Sequence, residues 1–161
     1  MQAPTSGWHV GQWGTLGWLE TGVKGIGILA AFIALAQALP SGIFTLGGNP
    51  RLAAIIVLAL VSVLWTGAVA TRLQQREIVS MVFSVLNALG HYALIAALLW
   101  LLPDRTLPII FGAAYLIGEL IKRRWLMVSG YTESGRTPAQ MAMVSNLFLG
   151  AYALLIVFML I

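Results

Sequence analysis

Apolar residues in this chain come in long uninterrupted stretches, and charges fall at the edges of those stretches. Five of them contain no charged residue: Gly25–Pro50, Leu52–Thr71, Ile78–Pro103, Thr106–Gly118 and Thr137–Ile161. About 20 apolar residues in helical conformation cross the roughly 30 Å hydrocarbon core of a bilayer. The pattern therefore predicts an all-α integral membrane protein, a bundle of five transmembrane helices over about 22–39, 51–71, 78–102, 106–125 and 138–161. Residues 1–21 read as a separate interfacial segment rich in Trp and Gly, and residues 22–161 as the bundle.

Punctuation agrees with hydropathy. Asn49-Pro50 reads as a helix cap followed by proline at the first helical position, and Thr137-Pro138-Ala139-Gln140 as a capping box. Pro40 and Pro103 close the first and third spans. Proline is expected outside every helix interior, so the broken helices of many transporter binding sites have no proline signature here.

The fourth span is the weakest, because its charge-free part is short and ends at Glu119. With five spans, seven basic residues (Lys24, Arg72, Arg76, Lys122, Arg123, Arg124 and Arg136) share one side against two (Arg51 and Arg105). With four spans, the alternative, the best division is six against three. Basic residues concentrate on the cytoplasmic side. Five spans are therefore favoured, with the N-terminus cytoplasmic and the C-terminus outside. Trp65 and Trp125 then lie near the cytoplasmic boundary and Trp100 near the outer one, as interfacial indoles do. Lys24, an apolar run and Ala36-Gln37-Ala38 resemble an export signal, but a long Trp-bearing segment precedes Lys24, so the run is expected to remain as the first span.

Composition fits a lipid solvent: 60% of the 161 residues are apolar and 9% charged, too few charges to cover a soluble domain. The net charge of +4 sits at helix ends, which points to anionic headgroups rather than nucleic acid. Lys122, Arg123, Arg124 and Trp125 form the candidate headgroup cluster. The absence of cysteine excludes disulfides, iron–sulfur clusters and thiolate metal sites. Seven of the nine basic residues are Arg, a bias of GC-rich bacterial genomes, so the expected location is a bacterial inner membrane.

Candidate chemistry lies where the apolar pattern fails. Ser80, Ser84, Asn87 and His91 recur at steps of four, three and four, one continuous polar face on the third span. Polar groups at that depth should point into protein or a water-filled path. His91 admits three readings: a histidine bonded across the bundle to Asn146 or Tyr115, an axial ligand for haem or chlorophyll, or a station on a proton or ion path. No cofactor is the leading expectation; a b-type haem would need a second ligand, and the only other histidine is His9. Glu119 reads as an intrahelical partner of Lys122 and Arg123, or as the end of a polar track with Asn87 and Asn146.

Small residues three or four apart suggest close helix contacts: Ala30, Ala34 and Ala38; Ser62, Thr66 and Ala70; Ala114 and Gly118; and Ala142, Asn146, Gly150 and Ala153. No catalytic or metal-binding motif appears. The leading expectation is a non-catalytic accessory or scaffold subunit of a larger membrane complex, with lipid, other subunits or further copies as partners. The alternatives are a small oligomeric transporter or channel, and a haem- or chlorophyll-type protein using His91.

Overall fold

The computed structural model describes Trp8 and residues 14–102, 104–129 and 137–161. His9, Trp13, Pro103, Arg136 and the 130–136 part of the fourth connection lie outside the described residues. Five α-helices follow in order: α1 (Thr15–Ala38), α2 (Asn49–Gln75), α3 (Ile78–Leu99), α4 (Thr106–Ser129) and α5 (Pro138–Leu160), with a single 3-10 turn, Leu39–Ser41, after α1. Four of them, all but α4, are long and apolar enough to cross a membrane, which marks the chain as an integral membrane protein. Helix α4 is equally long but carries Glu119, Lys122, Arg123 and Arg124.

Local signals account for most boundaries. Thr137 accepts the Gln140 backbone N–H at 3.3 Å, and the Gln140 side chain accepts the Thr137 N–H at 2.8 Å, completing the capping box. Helix α2 begins at Asn49 itself, with Gly48 as its cap and Pro50 in the first turn. Pro108 lies in the first turn of α4, where a missing N–H breaks no helical bond. Helix α1 starts at Thr15, upstream of the apolar window, and this puts Glu20 and Lys24 inside the helix rather than at its edge. Arg76 ends α2 in the left-handed region (φ 56°), and an Arg72–Glu77 ion pair of 2.9 Å closes the tight turn into α3.

The main helix contacts are α1 with α4, α4 with α5, α5 with α2, α2 with α3, and α3 with α1. They close a ring in the order α1, α3, α2, α5, α4. Each helix shows an apolar outer face, with Leu29, Leu60, Leu86, Leu120 and Leu154 exposed. Successive helices alternate in direction. At one end, Ser41 Oγ donates to the Trp100 carbonyl at 2.7 Å, Arg51 to the Leu102 carbonyl at 3.0 Å and Arg105 to the Met159 carbonyl at 3.3 Å. The opposite end holds Arg72, Lys122, Arg123 and the start of α5.

Small residues let α1 approach its neighbours. Ala30, Ala34 and Ala38 are buried, as are Ala114 and Gly118 on α4. A side chain on Gly27 would fall 2.9 Å from the Tyr115 ring, and one on Gly90 would fall 3.3 Å from Ile28. On α5 the expected small-residue face does not meet the bundle: Asn146, Gly150 and Ala153 are exposed, and Ala142 is half-buried. The packed face is the bulky one, with Met141, Phe148, Tyr152, Leu155 and Met159 buried. A ring of five helices leaves a central volume that only large side chains fill. On α2, likewise, Ser62 is buried while Thr66 and Ala70 are exposed.

Candidate functional site

The ring axis is filled from all five helices. Its centre is Lys24 of α1, whose side chain has no solvent exposure. The ammonium lies 2.5 Å from Glu119 Oε1 of α4 and 2.6 Å from Glu20 Oε1, one turn back on α1. Glu119 is fully buried and Glu20 is 12% exposed. Two rings face the ammonium, Trp65 of α2 at 5.3 Å and Tyr115 of α4 at 5.9 Å from their centroids. Cations over aromatic faces gain from the ring quadrupole, most when desolvated. Gly118 makes the approach possible, since a side chain there would fall 2.7 Å from Lys24 Cγ.

His91 lies beside this ion cluster, also fully buried. Its Nδ1 is 2.6 Å from the Asn87 carbonyl, and its Nε2 is 3.0 Å from the Tyr152 hydroxyl. A carbonyl only accepts, so in the neutral ring Nδ1 carries the proton and Nε2 accepts from Tyr152. The Tyr152 oxygen in turn accepts from Trp65 Nε1 at 3.2 Å. Phe111 and Tyr115 meet the imidazole edge-on at 4.9 and 4.8 Å. The His91 contacts with Phe111, Tyr115 and Tyr152 join helices that are not neighbours in the ring, which places the imidazole on its axis.

The polar face expected on α3 is buried throughout: Ser80, Ser84, Asn87 and His91 all face inward. Of the other expected site residues, Glu119 joins them and Asn146 does not. Asn146 is exposed and accepts from Arg123 at 2.5 Å. Glu119 takes its ion pair from Lys24 across the helix interface, in place of the intrahelical pair with Lys122 and Arg123. His91 bonds to Tyr152 rather than to Asn146, and touches Tyr115 ring to ring. A haem or chlorophyll metal bound to His91 would have to displace Tyr152 from Nε2 or Asn87 from Nδ1. In the expected headgroup cluster, Lys122, Arg123 and Trp125 are half-buried and Arg124 is exposed. Lys24, Glu20, Trp65 and Tyr152 are the members that the sequence pattern did not single out. For Glu20 and Lys24 the signal was a Glu–Lys pair at i,i+4 ahead of the first apolar run, whereas Trp65, expected at the cytoplasmic boundary, is instead buried against Lys24.

The chemistry of the centre follows from its charge. One ammonium stands between two carboxylates, so the triad carries one formal negative charge in excess. Four buried polar atoms have no hydrogen-bond partner among the described residues: Oδ1 of Asn87, the Tyr115 hydroxyl, Oε2 of Glu119 and Oγ of Ser145. Buried polar groups normally find partners, and Glu119 Oε2 is the one of the four that belongs to the triad.

Access differs between the two ends. Toward the Lys122 end, Glu20 reaches partial exposure, and Ser80, Ser84 and Ser145 continue the polar lining. Toward the Arg51 end, Leu58, Leu94, Leu98, Phe111 and Leu155 close the axis with apolar side chains. From His91 to Leu98 the plug is about 10 Å of helix rise. Comparison with protein families, characterised proteins and solved structures gives no match, so this centre is read from its own geometry.

Proposed function

We propose that the chain is a small five-span transporter or channel that moves protons or small monovalent cations, with the Glu20–Lys24–Glu119 triad as its central binding station. The observation that carries this reading is the buried ammonium shared by two carboxylates on the ring axis. Charged groups within a bilayer are costly and mark ion and proton paths. A triad with one excess negative charge exchanges its ion by loading and unloading at Glu119, while Lys24 keeps the emptied site from carrying two uncompensated carboxylates. Glu20 is the port toward the Lys122 end, and the leucine and phenylalanine plug is the closed gate toward the Arg51 end.

Two features support counting α4 as a span. It has 24 residues, and its Tyr115, Gly118 and Glu119 lie against Gly27 and Lys24 midway along α1. The five-span count puts the N-terminus in the cytoplasm and the C-terminus outside, with the basic residues divided six to two once Lys24 is counted within the bundle. The Arg-rich charge set favours a bacterial inner membrane. The test is flux: protein in liposomes under a potassium diffusion potential should move protons or sodium, and Glu119→Gln should reduce that flux at least tenfold.

A second reading, a scaffold subunit of a larger membrane complex, draws on the uncovered face of α5. Ala153 and Gly150 are exposed there, and nothing lies within 4 Å of where a Gly150 side chain would be. Membrane helices associate through such small-residue faces. Purification in mild detergent tests it, since a scaffold keeps its partners and a self-sufficient transporter elutes alone or as copies of itself.

A further inference from the structure

The Arg51 end of the ring opens into a cleft of about 440 Å³, the size of a small-molecule site. Its polar wall is made by Arg51 of α2 and Arg105 just before α4, and its apolar wall includes Leu98, Phe158 and Met159. Neither arginine has an ion-pair partner among the described residues. Each gives one bond to a backbone carbonyl, Arg51 to Leu102 at 3.0 Å and Arg105 to Met159 at 3.3 Å. A guanidinium has five N–H donors, so those bonds aim each group and leave donors over.

Asp104 also lines the cleft, so its side chains carry a net charge of +1. That carboxylate is committed elsewhere. Its Oδ1 accepts from the backbone N–H and the hydroxyl of Thr106, both at 2.8 Å, and these bonds hold its carboxyl below the ordinary aspartate value. They cap α4 and turn the charge onto that helix end. The first turn of α2 has no side-chain cap, so its N–H groups and the positive end of its dipole add to the same field.

We propose that this cleft binds the phosphate of an anionic phospholipid, with an acyl chain on Leu101 and Phe158, apolar lining residues that keep exposed surface. Two guanidiniums lining one cleft match phosphate oxygens, which arginine grips by paired bonds. The adjoining apolar wall suits a ligand whose phosphate is attached to a hydrocarbon tail rather than free phosphate. The site is distinct from the Lys122–Trp125 cluster, which lies at the other end of the bundle.

Native mass spectrometry of the full chain in mild detergent tests this with phosphatidylglycerol as the probe. The wild type should retain a bound phosphatidylglycerol that excess phosphatidylcholine does not displace. Arg51→Gln/Arg105→Gln should weaken that retention at least tenfold, and the single Arg51→Lys and Arg105→Lys variants, which keep the charge but lose the fork, should weaken it less. Equal retention by the double variant overturns the site, as does equal competition by phosphatidylcholine. Displacement by millimolar inorganic phosphate overturns the lipid assignment. If the double variant does not fold, the paired Arg→Lys variants carry the same test.

Discussion

Lys24 and Glu119, 95 residues apart in the chain, meet at 2.5 Å with neither side chain exposed. Buried ion pairs seldom stabilise relative to an apolar pair, because both charges lose hydration, but removing one partner strands the other. Lys24→Met alone should therefore cost about 3–5 kcal/mol, and Glu119→Leu less, because Lys24 keeps Glu20 at 2.6 Å. Lys24→Met/Glu119→Leu should recover a large part of that. Equilibrium unfolding in mixed micelles measures all three, and additive losses would contradict the pairing.

Tyr152 serves a donor and an acceptor at once, accepting from the indole of Trp65 and donating to the imidazole of His91. Tyr152→Phe leaves both buried groups without that partner, at a cost of about 1–3 kcal/mol for each. The same unfolding measurement checks it. A loss below about 0.5 kcal/mol, the usual range of a neutral surface change, would remove the Trp65–Tyr152–His91 bonds from the account.

Glycines on the two faces of the bundle should respond oppositely to alanine. At Gly27 the new methyl would meet the Tyr115 ring at 2.9 Å, so Gly27→Ala should destabilise by about 1–3 kcal/mol. At Gly67 and Gly150 nothing lies within 4 Å, and alanine should be neutral or stabilise by up to about 1 kcal/mol through helix propensity. Thermal unfolding of the three variants distinguishes these outcomes; equal responses would contradict the packing described.

The chain lacks cysteine, so single introduced thiols report topology cleanly. Thr45→Cys and Asp104→Cys should react with an impermeant maleimide from one side of the membrane, and Gln74→Cys and Met127→Cys from the other. Labelling of positions 104 and 127 from the same side would mean that α4 enters and leaves without crossing.

These expectations divide by how far the chain pattern reaches. The ends of α5 and the start of α3 fall within a residue of their charge-free windows, while α2 runs past its window at both ends to take in Arg51 and Arg72. The inward face of α3 was legible because Ser80, Ser84, Asn87 and His91 keep helical spacing. Lys24 was not, because a lysine before an apolar run looks like an interfacial anchor until α1 is known to begin at Thr15. Its partner Glu119 lies on another helix, and no local spacing records that. On α5, small residues suggested the packed face, but closing a five-membered ring requires bulk, and Phe148 and Tyr152 supply it.

Proton or sodium flux into liposomes, compared between wild type and Glu119→Gln of verified fold, tests the proposed role of the triad most directly. The account predicts flux in the wild type under an imposed potential and a loss of at least tenfold in the variant. Equal flux in the two proteins, or none in either at any pH or cation gradient, would contradict it.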